Sequence, residues 1–310
     1  MKEIKNPHNN FFVQFLSDKN AVIEFIKFAF PENLIRKINL DTVKLTKDSF
    51  IDEKLRSSYS DLLFECEISG KKGYIYILFE HKSHPEKYTQ LQVLGYFLEI
   101  WRKDITNGKE MRPIIPVVFY HGKEKWKVFD LKEYFMEIDE DLVEYTPTFK
   151  YILNDMSAME DEKIINSLIK DDRVKATLML FKHIFDDEVS LEESLRIIFS
   201  IGRELFGSAE GVGFIKTFLL YLYNATDVKP EKVEQVIKEV SNKEGVAMST
   251  AEVLEKRGYE KGINEGITQG ITQGKIEAAR RMYEKGFDEE TISEVTGLSI
   301  EEIREVLNKE

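Results

Sequence analysis

The sequence contains a single cysteine, Cys66, in 310 residues. No disulfide can form within one chain, and the aliphatic and aromatic neighbours of Cys66 mark it as a small buried hydrophobe. Long apolar runs are also missing. No stretch approaches the ~20 apolar residues of a membrane span, and the opening MKEIKNPHNN lacks the apolar core of a signal peptide. A cytoplasmic protein is expected. Positive charge is scarce too, since 44 Lys and Arg against 56 Asp and Glu leave a formal net charge of −12. Non-specific nucleic-acid affinity comes mainly from cations that neutralise phosphates, so the overall field disfavours it and any such binding must be local. What remains is ordinary globular composition, long enough for one large or two medium domains and a tail.

The chain is organised around Tyr59 to Ser83, YSDLLFECEISGKKGYIYILFEHKS. Two strand-like runs flank SGKKG, which is turn chemistry, so the stretch reads as a β-hairpin. A turn centred on Lys71, or between Gly70 and Lys71, places Asp61 opposite His81 or Glu80. Opposed Cβ atoms stand roughly 4.5–5.5 Å apart, a distance at which two carboxylates repel and a cation relieves them. Lys82 shares the face of Glu80 because strand side chains alternate. Two acids and a lysine meeting where the apolar run ends suit Mg²⁺, which keeps several waters and takes only one or two carboxylates from a protein. The same residues also allow an ordinary ion pair or solvated acids, and a one-residue slip would send Asp61 to the face opposite Glu80.

Around the hairpin the pattern alternates. Residues 11–30 carry helical spacing broken at SDKN, where Ser17 or Asp18 can cap a second helix, and Pro31 ends it. DTVKL reads as a short first strand. HPEKYTQLQVLGYFLEIWRKD reads as a helix with Leu91, Leu94, Phe97, Leu98 and Trp101 on one side. IIPVVFY reads as a buried strand, with Pro116 pushing it towards a sheet edge or a strand beginning there. From about 130 to 250 the pattern is helical. The Asp171–Asp172 and Asp186–Asp187 pairs in that region fit loops or N-caps better than metal ligands.

The order Asp, hairpin, Glu-x-Lys resembles the PD-(D/E)XK nuclease signature. NPHNNFF, FIKFAFPENL, DTVKL, SFIDEKLRSSYSDLLFE, YIYILFEHKS, LQVLGYFLEIW, RPIIPVVFYHGKEKW and the tail with VTGLS together resemble the Rpn family of recombination-promoting nucleases and putative transposases over most of the chain. The resemblance implies an α/β fold with an αβββαβ core over 1–128, a helical extension over 129–250 and a helical tail over 251–310. It also implies a metal-dependent DNA endonuclease. Asp61 and Glu80 would hold Mg²⁺ or Mn²⁺, Lys82 would orient the attacking water or meet developing charge, and Gln92 would bind the scissile phosphate. His8 and Asn9 match the family's His-Asp opening, but Asn9 lacks the charge of the acid. His121 and Lys123 lie in a segment similar to the family's Tyr-His-Gly. Asn9, the acidic balance and the long helical remainder favour a competing reading, a nucleic-acid-binding or assembly protein with weak or absent cleavage. A transposase that also joins strands is the third.

In the tail, Gly258, Gly262, Gly266, Gly270 and Gly274 recur every four residues. Each costs a helix roughly 1 kcal/mol relative to Ala, and a stripe of them lets a second helix approach closely. Arg257 to Lys275 therefore reads as a homo-oligomerisation helix, with a flexible linker as the alternative. Beyond it, Gly286, Gly297, Asp288 and Ser299 divide three short helices that resemble a helix-turn-helix, although SIEEIREVLNKE offers few groove-reading cations.

Overall fold

The computed structural model describes residues 6–46, 60–81, 87–128, 131–135 and 139–307. Helix α1 (Pro7–Leu16) starts on a proline at its first turn and stops at Ser17, and Asp18 caps α2 (Lys19–Ala29) through the Ala21 N–H. A short α3 (Glu32–Ile35) leads into β1 (Ile38–Leu45), followed by β2 (Ser60–Ile68) and β3 (Lys71–Glu80). Helix α4 (Thr89–Thr106) then crosses to β4 (Ile114–Tyr120). The later segment supplies α5 (Glu140–Val143), β5 (Ile152–Asp155), α6 (Asp161–Ile165), α7 (Asp172–His183), α8 (Glu188–Ile201), α9 (Ala209–Ala225) and α10 (Pro230–Ser241). The expected capping roles of Asp171 and Asp187 are seen at α7 and α8.

The five strands lie in sequence order, with β1–β2–β3 antiparallel and β3–β4–β5 parallel. This is the expected αβββαβ arrangement with helical extensions. Strand β3 is buried from Gly73 to Glu80, because helices cover both faces of its parallel side, and its sequence is accordingly a continuous apolar run. One face, with Ile75, Ile77, Phe79, Val117 and Phe119, shares a large core with α1, α2 and the later helices. The other, with Tyr76, Leu78, Val118 and Tyr120, packs on Val93, Tyr96, Phe97 and Ile100 of α4.

Two expectations need correction. The hairpin turn is Ser69–Gly70, both at positive φ (50° and 77°), with Ile68 paired to Lys71. Two left-handed residues make the tight loop whose twist matches the strands. Asp61 therefore faces Leu78 rather than Glu80 or His81. The slip from Glu80 is even, so Asp61 stays on the Glu80 face. On α4, Leu91 and Leu98 are exposed (47% and 44%), while Thr89, Gln90 and Asp104 are buried beside the apolar residues. The helix turns a partly polar stripe to the sheet. Pro116 sits in an interior strand, but the ladder to β5 begins only at Val117, so no partner is missing on that side.

Residues up to 250 form one compact unit and those from 251 another. The second holds most of α11 (Val246–Glu284), then α12 (Glu289–Thr296) and α13 (Ile300–Leu307), with Ala279, Ile292, Leu298 and Ile303 as its small core. Asp288 and Ser299 cap α12 and α13 as expected. No helix among the described residues is long and apolar enough to cross a membrane.

A glycine in the first turn of α9 carries a tight approach. A Cβ on Gly211 would lie 2.1 Å from the Leu205 carbonyl oxygen and 2.7 Å from its carbon, backbone that cannot move aside. Gly211→Ala should lower the urea midpoint, costing at least about 1–3 kcal/mol although alanine is the better helix former. An unchanged or raised midpoint would contradict this packing.

Candidate functional site

Strands β3 and β4 finish side by side: Glu80 pairs with Tyr120, and the His121 N–H donates to the Glu80 carbonyl at 2.9 Å. Successive side chains there leave on opposite faces. Glu80, 1% exposed, takes the face covered by α4, whereas His81 and His121 take the face of α1 and lie beside Phe79.

On the α4 face, Asp61 enters from β2 diagonally from Glu80, a position that separates Cβ atoms by roughly 7–8 Å. Both Asp61 carboxylate oxygens are shut away from water without a hydrogen bond. Burial pushes its pKa up to about 6, and the nearby Tyr96 and Tyr76 hydroxyls only partly offset that. Those two rings meet at 5.0 Å, and neither hydroxyl closes a hydrogen bond of normal geometry. Gln92, one turn before Tyr96, reaches the Tyr96 hydroxyl region, and Gln92 Nε2 and Gln90 Oε1 are likewise buried and unbonded. Orphaned polar atoms of this kind ordinarily meet water or an ion. Two Asp61 oxygens, a second carboxylate on the same face and an amide oxygen at Gln90 are hard donors, and they fit a divalent cation such as Mg²⁺ or Mn²⁺. Lys82 lies outside the described residues.

On the opposite face three imidazoles converge. His8, from the first turn of α1, stacks on His81 with ring centroids 3.8 Å apart. Its Nδ1 is 2.8 Å from the Tyr221 hydroxyl of α9 and 3.1 Å from His121 Nε2, which is itself 3.3 Å from the same hydroxyl. Burial pushes His8 down to about 3, helped by His81, and also lowers His81 and His121, so the rings are neutral at pH 7. Their ligand nitrogens lie within 4.8 Å of one another, close enough to hold a metal ion. Asn9, next along α1, is half-buried. Sequence reasoning gave His8 and His121 minor roles and did not join them to His81. The available signal was a histidine at the first position after each of two strands. His183, by contrast, is pinned between Asp186 at 2.6 Å and Asp161 at 3.0 Å, tying α7 to α6.

A family model described as a YhgA-like putative transposase matches residues 6–205. The chain belongs to this family. A second model, the C-terminal helix-turn-helix domain of the Rpn/YhgA-like nuclease family, matches residues 272–307. The expected resemblance to Rpn proteins is thus borne out. Among relatives, the inactive recombination-promoting nuclease-like protein RpnE of Escherichia coli (strain K12) is 26% identical over 263 residues, 83% of this chain and 84% of that one. The recombination-promoting nuclease RpnA of the same strain is 29% identical over 203 residues, covering 65% of this chain and 68% of RpnA. RpnD, a recombination-promoting nuclease of Escherichia coli O157:H7, is 29% identical over 184 residues, 57% of this chain and 68% of its own. No solved structure matches the chain significantly. The YhgA-like family therefore holds proteins described as nucleases and others described as inactive.

The buried Asp61 carboxyl gives a stability test. Its folded pKa of about 6 exceeds the ordinary 3.8, so the folded state binds the extra proton and stability falls as pH rises from about 4 to 6. Without divalent metal, Asp61→Asn should stabilise the protein at pH 8 by up to about 3 kcal/mol, two pKa units at about 1.4 each, and change little at pH 3.5. Urea unfolding at both pH values measures this. Equal effects at the two would contradict a buried, penalised carboxylate.

Proposed function

We propose that this chain is a nuclease-fold protein that binds nucleic acid and cleaves it weakly or not at all. The observation that carries the reading is Asn9, an uncharged amide where the resemblance expects the helix acid, beside an Asp61 carboxylate that burial holds partly protonated near neutral pH. The RpnE relative, which spans 83% of the chain, is described as inactive. The net charge of −12 requires that any nucleic-acid contact be local.

A specific observation keeps a second reading, a metal-dependent DNA endonuclease. The orphaned Asp61 oxygens share a face with Glu80 at the end of β3. In that reading Asp61 and Glu80 hold Mg²⁺ or Mn²⁺, which when bound polarises the phosphate and acidifies a water. Lys82 and Gln92 then orient that water and the scissile phosphate.

Supercoiled plasmid with Mg²⁺ or Mn²⁺, run beside a mobility-shift assay, separates the two. The binding reading expects shifted DNA for wild type and for Asp61→Ala alike, with no cutting above the level of that variant. Metal-dependent cutting lost in both Asp61→Ala and Lys82→Ala would replace it with the endonuclease reading. Neither binding nor cutting would overturn both.

We also infer a homo-oligomer through α11. A Cβ on Gly266, Gly270 or Gly274 would meet nothing within 4 Å, so among the described residues no contact offsets the roughly 1 kcal/mol that each interior glycine costs. Gly266→Leu with Gly270→Leu should lower the mass measured by light scattering. A monomeric wild type, or an oligomer unaffected by both leucines, would refute it.

A further inference from the structure

We propose that His8, His81 and His121, with the Tyr221 hydroxyl as fourth donor, form a closed structural site for a borderline divalent transition ion of the zinc type, separate from the carboxylates of Asp61 and Glu80.

Three atoms crowd one another at the centre of the cluster. His8 Nδ1, His121 Nε2 and the Tyr221 oxygen form a triangle with edges of 2.8, 3.1 and 3.3 Å. A ring nitrogen of a neutral imidazole has either one proton or one lone pair, aimed in one direction. Each nitrogen can therefore serve one edge of the triangle well. With a proton on His121 Nε2 and a lone pair on His8 Nδ1, the tyrosine donates to His8 and the His121 N–H is split between His8 Nδ1 and the tyrosine oxygen. That single shared proton is a poor way to serve two edges, and the place is buried, so water cannot relieve the crowding cheaply.

A cation between the three does so. Zinc bonds imidazole nitrogen at about 2.0–2.1 Å, so neighbouring donors in its tetrahedral shell stand about 3.3–3.4 Å apart. The triangle is already near that size, and the ligand atom of His81 lies within 4.8 Å of the other two imidazole donors. An imidazole binds a metal through the lone pair of its neutral form. The His81 ring has the outer partner that metal-bound histidines usually have, its Nδ1 lying 3.4 Å from the His121 carbonyl oxygen. With that nitrogen turned to the carbonyl, His81 Nε2 is the one left for a metal.

Donor type separates this site from the one on the other face. Imidazole nitrogens suit zinc, nickel and copper ions, whereas Mg²⁺ prefers oxygen and retains its waters. Phe185 lies against His81 and His121 at 5.8 and 4.7 Å, and Phe79 and Phe181 close the cluster further. Four protein donors in an aromatic box leave no open position for a reacting water, as in structural rather than catalytic zinc sites. The ion would join α1, the ends of β3 and β4, and α9, elements up to 213 residues apart in sequence. It would thereby fix the strand end from which Glu80 projects.

The test uses the full chain loaded with Zn²⁺, passed through gel filtration and analysed for bound metal, with affinity from competition against a chromogenic chelator. One zinc per chain is expected, undisplaced by millimolar Mg²⁺. His8→Gln and His81→Ala should each weaken binding by more than the roughly 10–100-fold that loss of an outer partner costs. Asp61→Asn should leave it unchanged. Because the histidine variants can misfold, Tyr221→Phe and the visible spectrum of the Co²⁺-loaded wild type provide independent readings. The site predicts weaker binding for the first and the intense absorption of tetrahedral cobalt for the second. A folded wild type that binds no zinc would overturn the proposal. So would zinc binding that survives the histidine changes, or that is lost with Asp61.

Discussion

The parallel pairing of β3 with β4 is the constraint on which the rest depends. It buries β3 on both faces and brings two strands to an end at one level, with Glu80 beside Tyr120 and His81 beside His121. The alternation of strand side chains then sorts the chemistry, oxygen donors to the α4 face and nitrogen donors to the α1 face. Neither set could be assembled by the hairpin alone. The hairpin supplies Asp61 and Glu80, but the helix that covers them and the strand that brings His121 both follow from the crossover after β3.

The two faces differ in what their unpaired groups need. On the α4 face the carboxylate of Asp61 is buried beyond its hydrogen-bond supply, so protonation, a cation or an incoming group must answer for its charge. On the α1 face the difficulty is geometric, with uncharged groups crowded so closely that one N–H must be split between two acceptors. Glu80 and His81 are consecutive in the chain, so an ion that stiffens one face also steadies the other.

Much of the fold was legible in the sequence because local signals agreed. Asp18, Pro31, Asp171, Asp187, Asp288 and Gly297 mark helix ends where the structure has them. The hairpin was clear, yet its register was not, since SGKKG contains several places for a tight turn. The choice fell on Ser69–Gly70, where both residues accept positive φ. The face of α4 was misread because apolarity was taken as the guide, whereas Gln90, Thr89 and Asp104 point inward and Leu91 and Leu98 outward. The histidine cluster was illegible for a different reason. It needs the β3–β4 register, the placement of α1 and a tyrosine 213 residues from His8, none of which a local pattern encodes.

One strand end presents oxygen donors and nitrogen donors on opposite faces of the sheet. Anomalous diffraction from crystals of the full chain, soaked in Mn²⁺ and Zn²⁺ and collected at each metal's edge, tests it most directly. The account predicts a manganese peak beside Asp61 and Glu80 and a zinc peak among His8, His81, His121 and Tyr221. Both metals on one face, or a zinc peak away from the histidines, would contradict it.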